Sequence, residues 1–183
     1  MRYFTSDWHI NEDRIGLDGK PNLFFRNFTS IRRQNYAIYN SLFDTEMGFN
    51  DELIHLGDVA YSIDSAVKSD LGNMKLNYPG KWTLIIGNYD EDKLDFLSNY
   101  FENMVHEMEI EIMGRPYYLN HYPAKCVEKE FSITGHIHGL WRVQKNMVNV
   151  GVDAWNFRGV DESRIDFVRT ACEKYYDENV FPY

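Results

Sequence analysis

The sequence predicts an α/β domain of two packed sheets flanked by helices. Short apolar runs at residues 2–6, 53–56 and 82–86 each end in a polar or glycine-led turn, as buried strands do. Segments of helical spacing separate these runs, so the first half reads as strand and helix in alternation. After residue 105 the pattern changes to strands joined by tight turns, and an α/β half followed by a β-rich half calls for two sheets with helices outside them.

Residues 2–6 form the first expected strand because Tyr3, Phe4 and Thr5 favour extended backbone and a polar Asp-x-His follows. Residues 11–29 lack periodicity and contain Gly16, Gly19 and Pro21, which suggests a long loop over a site. Ile31, Tyr36, Ile38, Tyr39 and Leu42 recur at roughly helical spacing, giving a helix over residues 30–47 with Ser30 or Thr29 as its cap. The apolar runs 53–56 and 82–86 are strands that end at Gly57-Asp58 and Gly87-Asn88. A helix is expected over residues 62–75, turned back by Asn77, Pro79 and Gly80, and another over residues 90–100. Val105, Met108, Ile110 and Ile112 lead into Gly114-Arg115-Pro116 and out through Tyr117-Tyr118-Leu119, a hairpin delivering Asn120-His121. Residues 131–134 and 147–152 are further strands, and Ile165, Phe167, Val168 and Ala171 mark a closing helix over residues 161–176. With no repeat or linker composition, residues 1–183 are expected to be one domain.

Composition narrows the function classes. The 44% hydrophobic content, with 12 Phe and 13 Tyr, can supply a substantial core. A net charge of −9 argues against stable nucleic-acid binding, which rests on a positive surface that releases counterions, and leaves small or locally steered substrates easier to accommodate. Cys126 and Cys172 match no CxxC pattern, so reduced thiols in a reducing compartment are expected. The chain shows no secretory leader pattern and no membrane-length apolar run, which makes a cytoplasmic location the expectation.

Metal-capable side chains recur in the order Asp7-x-His9, Gly57-Asp58, Gly87-Asn88, His121 and Gly135-His136-x-His138, and these use four of the six histidines. Side chains two apart on an extended segment share a side, so Asp7 and His9 can converge, as can His136 and His138. The glycines before the ligands permit tight turns and close backbone approach. Two divalent cations roughly 3.5–4 Å apart repel, so such a site needs a bridging anion, and Asp58 is suited to that place. A hydroxide bound there is a nucleophile at neutral pH, and both metals can contact phosphate oxygens. Each fragment alone is weak; the ordered set, each member following a strand-like run, points to a two-metal hydrolytic site.

Taken together these motifs resemble the calcineurin-like metallophosphoesterases, whose pattern is D-x-H, G-D, G-N-H-[DE], H and G-H-x-H. The resemblance runs from Asp7 to His138, and Val150-Gly151-Val152-Asp153-Ala154-Trp155 is similar to the ending of small bacterial and phage members. It implies a four-layer αββα sandwich of two mixed sheets. It further implies one metal held by Asp7, His9 and His138, a second by Asn88, His121 and His136, and a bridge through Asp58. Mn²⁺ is the expected assay metal, with Fe, Zn, Ni or Mg also suited to mixed nitrogen and oxygen ligands.

The third motif departs from that pattern, reading Gly87-Asn88-Tyr89-Asp90 with Tyr89 where the family has histidine. In the family that histidine contacts the phosphate and the following acid orients it, which nominates Asn88, Tyr89 and Asp90 as catalytic residues. Tyrosine is a neutral donor near pH 7 and cannot supply an imidazolium charge. A monoester is a dianion and a diester carries one charge, so the change favours diesters, cyclic nucleotides or other activated phosphates. The alternatives are a nucleotide or protein phosphomonoesterase, and a metal-binding interaction module weakened in catalysis. Arg26 can fork onto a substrate phosphate and Asn11 can face the site, or both are solvated loop residues. Tyr61 is read as a packing aromatic and His55 as a core histidine. Asp153 and Trp155 either pack beneath the site or line the pocket.

Overall fold

A computed structural model describes residues 1–13, 26–43 and 47–177. The strand β1 (Arg2–Thr5) opens the chain, followed by helix α1 (Ile31–Phe43), β2 (Glu52–His55), α2 (Ser65–Asn77) and β3 (Lys81–Ile85). A single helical turn, α3 (Leu94–Leu97), and β4 (Asn103–Val105) complete the first half. The second half holds β5 (Glu107–Ile112), β6 (Arg115–Asn120), β7 (Ser132–Thr134), β8 (Val143–Gln144) and β9 (Met147–Asn149), then β10 (Val160–Asp161) and helix α4 (Glu162–Tyr175).

Among the described residues the strands form two five-stranded sheets, in the orders β10-β1-β2-β3-β4 and β5-β6-β7-β9-β8. In the first, β1 to β4 are parallel and β10 is antiparallel to β1. The second combines the antiparallel pairs β5-β6 and β8-β9 with the parallel pairs β6-β7 and β7-β9. Alternation along the first sheet feeds two cores. Tyr3, Leu53, Trp82 and Leu84 face Ile38 and Leu42 of α1 and Val67, Leu71 and Met74 of α2. Their neighbours Phe4, Ile54 and Ile85 face Ile112, Tyr117, Leu119, Ile133 and Val148 of the second sheet, where α4 adds Ile165 and Val168. Strands buried on both faces read as continuous apolar runs, which is why residues 53–56 and 82–86 look as they do. The architecture is therefore an αββα sandwich of two mixed sheets.

Several elements differ from expectation. The run from Val105 to Ile112 is two strands in different sheets, because the chain passes from one sheet to the other at His106. In place of a helix over residues 90–100 there is a 3-10 turn at Glu91–Lys93 and then α3. The helix placed at residues 62–75 begins after Asp64, whose carboxylate caps it by accepting the Val67 N–H at 2.9 Å. Of the loop expected over residues 11–29, residues 14–25 lie outside the described part, as do residues 44–46 at the end of the first expected helix.

Candidate metal centre

The strand ends of the two sheets meet at one edge of the sandwich. Asp7 and His9 follow β1, Asp58 follows β2 and Asn88 follows β3; His121 follows β6, and His136 and His138 follow β7. The turns there are tight. The Gly57 backbone adopts φ +90°, and a Cβ on it would lie 2.4 Å from His121 Nδ1 and 2.8 Å from Gly87 Cα. A Cβ on Gly87 would lie 2.4 Å from Asp58 Oδ1. Asp90 ties these two turns together: its fully buried carboxylate accepts the backbone N–H groups of Asp58, Val59 and Gly87 at 2.8 to 2.9 Å. It is a staple beneath the site that joins the Asp58 and Gly87 turns.

Two ligand clusters result. Asp7, His9 and His138 bring one donor atom each within 4.8 Å of one another, and so do Asp58, His121 and His136. Asp58 lies between the clusters, its Oδ2 3.3 Å from His9 Nε2 and 3.5 Å from His121 Nε2. Asn88 joins the second cluster, with Oδ1 3.2 Å from His121 Nε2. Extended alternation is not what brings the pairs together. Asp7, His9, Asp58, His136 and His138 all have left-handed backbone, with φ between 46° and 74°, so the side chains converge through successive tight turns. As a result Asp7 and His9 share a cluster, while His136 and His138 divide between the two.

Neighbouring groups aim the imidazoles. His121 Nδ1 lies 2.6 Å from the Leu56 carbonyl, which can only accept, so Nδ1 carries the proton and Nε2 faces the cluster. His138 Nδ1 donates to Asp153 Oδ2 at 2.8 Å. His9 Nδ1 is 3.7 Å from Glu12 Oε2, and the buried His9 ring has no hydrogen-bond partner on either nitrogen. Burial opposes charge on His9, yet the carboxylates of Asp58 and Glu12 outweigh it and hold its pKa at about 9. Asp58 is itself buried, but His121 and His9 keep its carboxyl well below the usual carboxylate range. A buried imidazole that makes no hydrogen bond among the described residues, set 3.3 Å from the Asp58 carboxylate and among other histidines, fits a divalent cation of the borderline class.

Tyr89 belongs to this centre. Its ring packs edge-on against His9 with centroids 4.7 Å apart, and its N–H donates to Asp58 Oδ1 at 2.9 Å. The Tyr61 ring packs against the Tyr89 ring with centroids 6.1 Å apart. On the other side, Tyr122 packs against His121 and His136 with centroids 4.9 and 5.0 Å away. Burial, followed by the charge of Asp58, pushes the Tyr122 hydroxyl above its ordinary pKa, so it stays protonated at neutral pH. Neither Tyr122 nor Glu12 was singled out from sequence. The available signals were slight: Tyr122 directly follows His121, and Glu12 lies one turn beyond His9, whose carbonyl accepts the Glu12 N–H at 3.1 Å.

The two residues expected to contact substrate, Arg26 and Asn11, have partners within the protein. Arg26 is buried, with Nε donating to Asp153 Oδ1 at 2.7 Å, one terminal nitrogen to Asp153 Oδ2 at 2.9 Å, and further bonds to the carbonyls of Trp8 and Asp7. Its fork is thus engaged by one carboxylate and two backbone carbonyls. Asn11 turns toward α2, donating to Ser62 Oγ at 3.2 Å and Asp64 Oδ2 at 2.9 Å. Asp153 lies beneath the site, while Trp155 donates to the Asn149 carbonyl at 2.6 Å and carries the Arg142 guanidinium 4.5 Å above its ring.

A scan against protein-family models finds no match, and a search of the curated proteins finds none. Solved structures do resemble the chain. A protein of unknown function from Aquifex aeolicus matches with TM-score 0.70 at 24% identity, over 91% of this chain and 98% of its own. An archaeal phosphodiesterase matches with TM-score 0.42 at 17% identity, over 82% and 81% of the two chains. Vacuolar protein sorting 29 from Cryptosporidium parvum gives 0.40 at 17%, over 81% and 72%. The likeness to the Aquifex protein shows that the two chains share one fold over nearly their whole length.

Proposed function

We propose that this chain is a dinuclear-metal phosphoesterase of the calcineurin-like kind, biased toward phosphodiesters or cyclic nucleotides and working on small phosphorylated substrates in the cytoplasm. The observation that carries the reading is the pair of His/Asp clusters set on either side of Asp58. Two divalent cations, Mn²⁺ in the first instance, would supply charge to phosphate oxygens and a water acidic enough to attack near neutral pH. The chain's own residues do the rest. Asp58 offers the anion that two adjacent cations need, and the carbonyl and carboxylate behind His121 and His138 engage each Nδ1 and turn each Nε2 toward its cluster. Asn88 and Tyr89 flank the place a phosphate would occupy.

The charge balance supports the bias toward diesters. Tyr89 adds no cation, Arg26 is engaged by Asp153, and Lys93 is held by the Tyr89 carbonyl at 2.7 Å and by Asp92. A singly charged diester needs less neutralisation than a dianionic monoester.

The test is hydrolysis of bis-p-nitrophenyl phosphate beside p-nitrophenyl phosphate with Mn²⁺, for wild type and Asp58→Ala. Metal-dependent turnover favouring the diester and lost in the variant is the expected result. Faster turnover of the monoester would move the assignment to a phosphomonoesterase. Two bound metals without turnover of either would leave a metal-binding interaction module. Tyr89→His should raise the monoester rate by about a hundredfold, the lower end of what a general acid contributes.

A further inference from the structure

The geometry points to Arg26 and Asp153 as positioning residues that build the first ligand cluster selectively, fixing both the Asp7-to-His9 turn and the His138 ring. The inference rests on the dinuclear reading above.

The Arg26 side chain is fully shielded from solvent, and Asp153 nearly so. Their two-point contact places both guanidinium nitrogens that face Asp153 within 2.9 Å of its oxygens. The remaining N–H groups of the same guanidinium reach the carbonyls of Asp7 and Trp8, inside the turn where Asp7 and His9 hold φ values of 58° and 46°. Left-handed backbone at non-glycine residues is costly and persists where surrounding contacts enforce it. The other arm of the unit is Asp153 Oδ2, which takes the Nδ1 proton of His138 at 2.8 Å and so aims Nε2 at Asp7 and His9. The guanidinium and its carboxylate partner thus join main chain near residue 7 to residues 138 and 153, more than a hundred positions further along the chain.

The second cluster has supports of its own, and it meets the first where the His136 N–H donates to the Asp7 carboxylate at 3.0 Å and the His9 N–H donates to the Asp58 carbonyl at 3.0 Å. His121 is oriented by the Leu56 carbonyl, and the Asp58 turn is held by Asp90. Neither support contacts Arg26 or Asp153 through a hydrogen bond among the described residues. Loss of the pair should therefore weaken one metal site and spare the other. Asp153→Asn keeps the volume and one acceptor oxygen but removes the charge that compensates the buried guanidinium; Arg26→Met removes the clamp on the turn.

The experiment titrates metal-free full-length protein with Mn²⁺ and counts bound ions by electron paramagnetic resonance, which also reports coupling between adjacent ions. His138→Ala and His136→Ala serve as references for loss of the first and second cluster. Expected are two sites with coupled spins in wild type. Asp153→Asn and Arg26→Met should each retain one site at wild-type affinity, weaken the other by about 10–100-fold, and match the His138→Ala isotherm. If Arg26→Met does not fold, judged by circular dichroism, Asp153→Asn carries the test. Two sites at wild-type affinity in Asp153→Asn, or equal weakening of both, would overturn the positioning role alone. Failure of wild type to bind any Mn²⁺ would overturn the dinuclear reading and this inference with it.

Discussion

Asp90 immediately follows Tyr89, the residue that departs from the family pattern, yet its carboxylate points into the protein and satisfies three backbone N–H groups of two ligand-bearing turns. An amide at this position would place an NH2 group against backbone donors and leave buried groups unpaired. Asp90→Asn should cost about 2–3 kcal/mol, read as a lowered denaturant midpoint with an unchanged m-value. His55 is a second residue whose environment decides its chemistry. It is fully buried against Trp8, with ring centroids 4.4 Å apart, and neither ring nitrogen has a hydrogen-bond partner. Burial depresses its pKa from 6.5 to about 3. Because the folded value lies below the unfolded one, the neutral ring contributes stability above pH 6.5 that is lost as pH falls toward 3. The loss is about 2 kcal/mol at pH 5. His55→Phe should flatten that acid limb in urea titrations between pH 4 and 7, and an unchanged limb would reject the assignment.

At the scale of elements, ligand placement is a property of strand ends. Gly57 shows why the small residue before a ligand is required: any side chain there meets His121 and the Gly87 backbone, and the φ of +90° is strained for any L side chain. Gly57→Ala should abolish binding at the second cluster and lower the melting temperature, both measurable in one thermal titration with and without Mn²⁺. Helix ends contribute independently of the site. Asp161 caps α4 by accepting the Arg164 N–H at 2.8 Å, so Asp161→Ala should cost about 1 kcal/mol while leaving metal stoichiometry at the wild-type value.

At the scale of the molecule, each cluster draws ligands from both sheets. Asp7 and His9 belong to the first and His138 to the second; Asp58 belongs to the first and His121 and His136 to the second. Bound metal would pin the two halves of the sandwich together. Chelation should lower stability by about 4 kcal/mol per site when metal had been present at a thousand times its dissociation constant. The pH dependence has a definite sign. His9 is held at about 9, above its ordinary 6.5, so its attraction to Asp58 stabilises the metal-free chain fully below pH 6.5. That contribution is lost as pH rises through 9. Metal must displace the same proton, and so the gain in melting temperature on adding Mn²⁺ should grow between pH 6.5 and 9.

The sequence by itself determined the two-sheet α/β class and the roster of candidate ligands, because both are written locally. Apolar runs of strand length mark strands buried on two faces, and each candidate ligand sits where such a run stops. Charge and composition were equally readable, being sums over the chain. Only the tertiary structure decided how the ligands divide into clusters, since His136 and His138 separate through left-handed turns that spacing does not reveal. It also decided what the auxiliary residues do. Arg26 and Asp153 are 127 positions apart and meet only when residue 26, just before α1, comes against the 3-10 turn Val152–Ala154 that follows β9. Tyr122 lines the second cluster because of the hairpin's orientation, and His106 marks a change of sheet because β4 and β5 find different partners. These are long-range pairings, and the physical reason they escaped the sequence is that a side chain's partner is fixed by packing across the fold, while periodicity encodes only which face of its own element it occupies.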